Sequence, residues 1–192
     1  ASEIQLQPIM KELESIFELA KGESFEDGIE TDFSQSIEMF FSKYQILAPK
    51  IFETVIHQLA FPEQYIAEAL LWIGDMEHKD TINLRRILLE NALDSESVFI
   101  RDAAVSGLSY LSDPRSIQRL SEVLEKETAQ GVRKNIEAVV KQLHKFQSFI
   151  LDGKIDPLEQ ILGIFDDDIT DMSTSVRDTM NELHRKMYES SD

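Results

Sequence analysis

Four histidines come first, because imidazole is the usual acid–base group or metal ligand near neutral pH. His57, His78, His144 and His184 are spread along the chain. None follows a Glu by three residues, the spacing of helical di-iron sites. Glu53 and His57 stand at i,i+4 and could share a metal, but a charged helical chain produces one such pair by chance. The run Asp166-Asp167-Asp168-Ile169-Thr170-Asp171 has the carboxylates of a calcium loop without its central glycine or distal Glu. It reads as a solvated acidic turn. No phosphate-cradling glycine loop, nucleophile elbow or H-E-x-x-H occurs among only 7 glycines, and zero Cys removes thiolate chemistry. No catalytic residue, cofactor or metal is therefore expected.

What the charges offer is binding. The 192 residues carry 19 basic and 36 acidic side chains, a net charge of −17. Such a surface repels nucleic acid and anionic membranes and steers basic proteins inward. Against that background Arg86, Arg115 and Arg119 are expected on the second helices of successive helix pairs. There they would form a local strip with Glu122 between buried Leu and Ile. Arg101 and Arg133 occupy equivalent positions 32 residues apart, and their default reading is structural pairing with carboxylates.

The elements that must position these residues are helices. Ile9, Leu13, Ile16, Phe17 and Ala20 recur at three and four, as do Phe33, Ile37, Phe40, Phe41 and Tyr44. Pro49 opens the stretch Ile51, Phe52, Val55, Ile56, Leu59, and Pro62 opens Ile66, Ala69, Leu70, Ile73. Ile100, Ala103, Ala104, Gly107, Leu108 and Leu111 make another stripe. Asp113, an N-cap candidate, then restarts the chain into Ile117, Leu120, Val123 and Leu124. Val132, Ile136, Val139, Val140 and Leu143 follow. No strand-period segment intervenes, and 42% hydrophobic with 29% charged residues suits an all-α protein that folds. The acidic stretch Gly22 to Asp32 reads as a loop whose Phe25 and Phe33 anchor the first helix. No basic n-region precedes an apolar run, and the longest apolar run is Ala69 to Ile73, so a cytoplasmic protein without membrane spans is expected.

The chain also repeats. Shifting Ile100-Arg101-Asp102-Ala103-Ala104 by 32 residues gives Val132-Arg133-Lys134-Asn135-Ile136, with Leu108 and Leu111 falling on Val140 and Leu143. Shifting back by 38 puts Leu108, Leu111 and Asp113 on Leu70, Ile73 and Asp75, and Tyr110 on Trp72. Trp72 and Tyr110 read as packing between units, or as interface anchors if exposed. Ala103, Ala104 and Gly107 would let helix axes approach closely. The run from Val98 through Arg101, Gly107 and Leu111 to Asp113-Pro114, with Gly131-Val132-Arg133 opening the next unit, resembles the short HEAT-like repeat of phycobilisome lyases. The resemblance covers about residues 62–147. It implies an α-solenoid of antiparallel helix pairs over 1–147, a curved surface, and protein binding more often than catalysis.

Residues 148–192 have a different character, an acidic appendage that either caps the solenoid or docks on a partner. Val176, Met180, Leu183 and Met187 form a narrow stripe there. Asp156-Pro157-Leu158 through Leu162-Gly163-Ile164-Phe165, with Asp171 and Ser173, is similar to the partner-wrapping tails of some bacterial antitoxins. The expectation is a non-enzymatic protein–protein interaction module, in its specific form an inhibitor, immunity or antitoxin-type protein for a basic partner. The alternative that the repeat style implies is a bilin-lyase-like or chaperone-like subunit acting on a chromophore or its carrier protein.

Overall fold

The computed structural model describes residues 3–25, 29–58 and 60–151. The chain divides into two units, Ala1–Ser148 and Phe149–Asp192, and the described residues lie almost wholly in the first. Among them are eight α-helices and no strand, so the protein is all-α as its periodicity requires. They are α1 (Glu3–Ala20), α2 (Asp32–Tyr44), α3 (Leu47–Gln58), α4 (Glu63–Asp75), α5 (Ile82–Ala92), α6 (Val98–Leu111), α7 (Ile117–Leu124) and α8 (Gln130–Leu151), with 3-10 turns at Lys79–Thr81 and Pro114–Ser116.

Local chemistry sets most boundaries. Thr31 and Ser34 form a reciprocal capping box at the start of α2. Pro62 stands immediately before α4, and Pro49 falls in the first turn of α3, where a proline is tolerated. Asp113 caps its 3-10 turn by accepting from the Arg115 N–H at 3.0 Å. The acidic loop is fastened as expected: Glu23 accepts from the Phe33 N–H at 3.1 Å, and the Phe25 ring lies 5.8 Å from Phe33 and 6.2 Å from Tyr65. Its turn at 26–28, and Leu59, are outside the described residues.

α5 is the helix that apolar spacing did not mark. Its inner face holds Leu88, Leu89 and Ala92 together with Arg85, which is 2% exposed. A cation breaks the stripe where an apolar residue would continue it. The Arg85 guanidinium donates to the carbonyls of Ile73 at 2.7 Å and His78 at 3.0 Å, and to Thr81 Oγ1 at 3.2 Å, so its polar atoms are satisfied inside the core. Desolvation brings its pKa down to about 10, still leaving it charged at neutral pH, with Asp75 and Glu38 opposing the shift.

Packing differs along the chain. The first helices meet through rings: Phe17 stacks on Phe61 at 4.0 Å and meets Phe33 edge-on at 5.3 Å, while Phe52 touches Phe40 and Phe41. Further on, small residues take over. α4 and α6 cross at Gly74 and Gly107 so tightly that a Cβ on Gly74 would lie 2.5 Å from the Gly107 Cα. The expected close approach at Gly107 is present, and its counterpart is Gly74. Alternate helices touch, α2 with α4, α4 with α6 and α3 with α5, and so do the neighbours α1 with α2 and α5 with α6.

Candidate functional site

The four described residues singled out for binding fall into two groups. In the first, Arg86 Nη1 donates to Glu90 Oε1 at 2.7 Å and its Nε lies 3.7 Å from Asp113 Oδ2. Asp113 also takes the Arg115 guanidinium at 2.5 Å, which raises the arginine pKa further. Ser116 Oγ donates to Glu90 at 2.8 Å and closes the cluster. Arg115 is on the turn ahead of α7, not on the helix itself.

In the second group Arg119 pairs with Asp94 at 2.5 Å and reaches Glu122 at 3.8 Å. These three line a cleft of about 220 Å³ with Leu93, Val123 and Lys126. Every arginine of the expected strip is thus ion-paired within the chain. Two carboxylates balance two guanidiniums in the first cluster, so the strip offers directional donors and acceptors with little net positive charge.

Arg101 and Glu127 close one end of the cleft. Arg101 Nε donates to Glu127 Oε2 at 2.6 Å and Nη2 to Oε1 at 2.9 Å, a bidentate fork. The Glu127 carboxylate also accepts from the N–H groups of Thr128 and Ala129, ahead of α8. Arg101 and these N–H groups hold its pKa down at about 2, against desolvation. Arg101 Nη1 reaches back to the Ser95 carbonyl, and 32 residues on Arg133 Nη1 reaches back to the Glu127 carbonyl. The two arginines paired by sequence make the same contact, and Arg101 adds the carboxylate that pairing predicts.

A residue that sequence reasoning passed over stands two positions before Arg101 on α6. Phe99 is 70% exposed and its neighbour Val98 47%, at the start of a helix whose residues Ala103 through Ser109 are all buried. The signal was available, since Phe99 is out of phase with the Ile100, Ala103, Ala104, Gly107 stripe. Trp72 and Tyr110, by contrast, are half-buried, and Trp72 Nε1 donates to Glu68 at 2.8 Å. Glu53 accepts from Asn91 of α5 at 2.6 Å, which engages it in a helix–helix contact away from any pairing with His57.

Among the described residues no group of three or more His, Cys, Asp or Glu is arranged to hold a metal ion, and no helix is long and apolar enough to cross a membrane. Val176, Met180, Leu183, Met187, His184 and the Asp166–Asp168 run lie outside the described residues. No protein-family model, curated protein or solved structure matches the chain. What the protein does must be argued from its own side chains.

Proposed function

We propose that this chain is a non-enzymatic protein-binding module, built as a HEAT-like solenoid and addressed to a basic partner. The carrying observation is the exposed Val98-Phe99 pair at the start of α6, the helix whose Arg101 lines the cleft of Arg119, Asp94 and Glu122. A large aromatic ring costs about 2 kcal/mol to leave in water and is the kind of side chain that anchors interfaces. The cleft supplies polar groups, where paired charges set orientation. The −17 charge supplies steering, which an inhibitor or immunity-type protein would use to reach a cationic target quickly.

The solenoid reading draws support from the contacts between alternate helices and from the carbonyl contact that Arg101 and Arg133 repeat at an interval of 32 residues. In a stack of helix pairs each unit buries its neighbour's face and leaves one edge of loops and helix ends open for a partner. Phe99, Ser95 and Thr128 belong to such helix ends and loops.

The test is affinity capture from host lysate with the wild-type chain and Phe99→Ser, at low and high salt, read by quantitative mass spectrometry. A basic protein recovered stoichiometrically by the wild type and lost with Phe99→Ser, at an unchanged melting temperature, is the expected result. Identical recoveries from both proteins, or none from either, would overturn the reading.

A further inference from the structure

α8 departs in charge from the rest of the chain. In a protein of net −17 its 22 residues carry Arg133, Lys134, Lys141 and Lys145 against one carboxylate, Glu137. Arg133 is engaged by the backbone carbonyls of Leu124 and Glu127. Lys141, His144 and Lys145 are exposed and have no ion-pair partner among the described residues.

Lys141 and Lys145, with Glu137 and His144, line an open groove of about 560 Å³, larger than the cleft at Arg119 and sharing no residue with it. Its floor is apolar, made by Leu124 at the end of α7 and Val140 of α8, both half-buried. Glu137, Lys141 and Lys145 follow one i,i+4 row and Val140 and His144 the next, so the groove runs along the helix for about 12 Å or more. Its shape and length suit two or three turns of another helix.

We propose that this groove seats an amphipathic helix of a partner protein, apolar along one stripe and acidic on its flanks. The floor selects the apolar stripe, and Lys141 and Lys145 select carboxylates beside it. Charge complementarity decides the class of partner. At physiological salt a charge is felt over about 8 Å, so a carboxylate beside Lys141 responds to the local cations more than to the distant acidic surface. A nucleic acid would gain from the same cations, but it has no use for an apolar floor and extends far enough to meet the acidic remainder. The inference stands independently of the Phe99 edge: either surface can fail its test without the other.

Fluorescence anisotropy on the full chain tests it. One labelled peptide of about 18 residues carries Leu at three- and four-residue spacing with Glu on the flanks; its counterpart carries Lys in place of every Glu. The Glu-flanked peptide is expected to bind at least about tenfold more tightly than the Lys-flanked one, and the double substitution Lys141→Glu, Lys145→Glu to reverse that order. Both lysines are exposed, so the variant should melt with the wild type, and the melt is measured alongside. Val140→Asp, which puts a charge into the floor, should weaken both peptides. Equal binding of the two peptides, or an order untouched by the lysine reversal, would overturn the proposal. So would sedimentation showing a dimer of the full chain that the lysine reversal dissociates, because the groove would then belong to a second copy.

Discussion

Toward α4, helix α6 turns Gly107 onto Gly74, with no side chain between the two backbones. Toward α8 it turns Asp102, Ser106 and Ser109. Asn135 Nδ2 donates to Asp102 Oδ1 at 3.0 Å and Ser106 Oγ at 3.1 Å, and Gln142 exchanges hydrogen bonds with Ser109. One helix thus meets α4 through bare backbone and adds directed polar contacts to α8 beside the stripe Val132, Ile136, Val139 and Leu143 that α8 buries in the core. A dry backbone contact is intolerant to tenths of an ångström, because close-packed atoms have nowhere to go. A hydrogen-bonded seam is worth about 1 kcal/mol per bond net, since water replaces a lost partner wherever it has access. The first seam fixes the core, and the second fastens the last described helix, whose other face carries the basic groove.

The largest expected effect breaks the dry seam. Gly74→Ala would set a Cβ 2.5 Å from the Gly107 Cα and 2.6 Å from its carbonyl carbon, both backbone atoms that no rotamer change can move. Alanine favours a helix over glycine by about 1 kcal/mol, which works the other way. Overpacking costs about 1–3 kcal/mol, and with backbone on both sides the upper end applies, giving a net loss of about 2 kcal/mol and a melting temperature lower by roughly 4–8 °C. Gly107→Ala meets the Leu70 carbonyl at 2.7 Å but otherwise a movable Leu89 methyl at 2.8 Å, so its loss should be the smaller of the two. Thermal melts by circular dichroism check both; a Gly74→Ala protein as stable as wild type would mean that α4 and α6 do not cross this closely.

That seam also shows how much the sequence disclosed. Gly107 was legible because it stood in a stripe with Ala103 and Ala104, where small size has only one use. Gly74 was not, since a glycine at a helix end reads equally well as a stop signal. Arg85 was missed for the opposite reason: its type says surface, and only a cage of carbonyls from other segments makes burial affordable. The carboxylate pairing read for both Arg101 and Arg133 is met by Arg101 alone; Arg133 takes backbone carbonyls instead, a choice that depends on the loop ahead of it. Phe99 was visible as a phase error in its stripe. The basic groove was not, as its floor joins Leu124 to Val140 across a loop.

The next effect concerns the tether of α6 to the loop before α8. Glu127 is nearly buried, grips Arg101 with both oxygens and accepts two N–H bonds, so its pKa falls from an ordinary 4.5 to about 2. A carboxylate depressed in the folded state stabilises it fully above pH about 4.5. That stabilisation fades as pH falls through about 2, below which both states are protonated. Glu127→Gln should cost about 1–3 kcal/mol at pH 7, the value of charge-assisted hydrogen bonds to a buried partner. The deficit should narrow steadily between pH 4.5 and 2. Urea titrations of both proteins at pH 7 and at about pH 3 measure it, and a deficit of equal size at the two pH values would rule out the ion pair as its source.

The smallest effect belongs to the polar seam itself. Asn135→Ala removes two bonds, yet Asp102 is half-buried and Asn135 lies at the same partly wetted boundary. Water can take up what the amide releases, so the loss should be about 1 kcal/mol, below that of either glycine substitution. Gln142 is two helical turns further along α8 and uses Ser109, with no partner shared with Asn135. If the seam is a row of separate bonds, Asn135→Ala and Gln142→Ala should add within about 0.5 kcal/mol in a double-mutant cycle. A coupling well above that would mean that α8 is held as one rigid contact, like α4, and the contrast between the two seams would collapse. Additivity would instead leave the Asn135 and Gln142 bonds as separate contributions beside the apolar stripe that α8 buries.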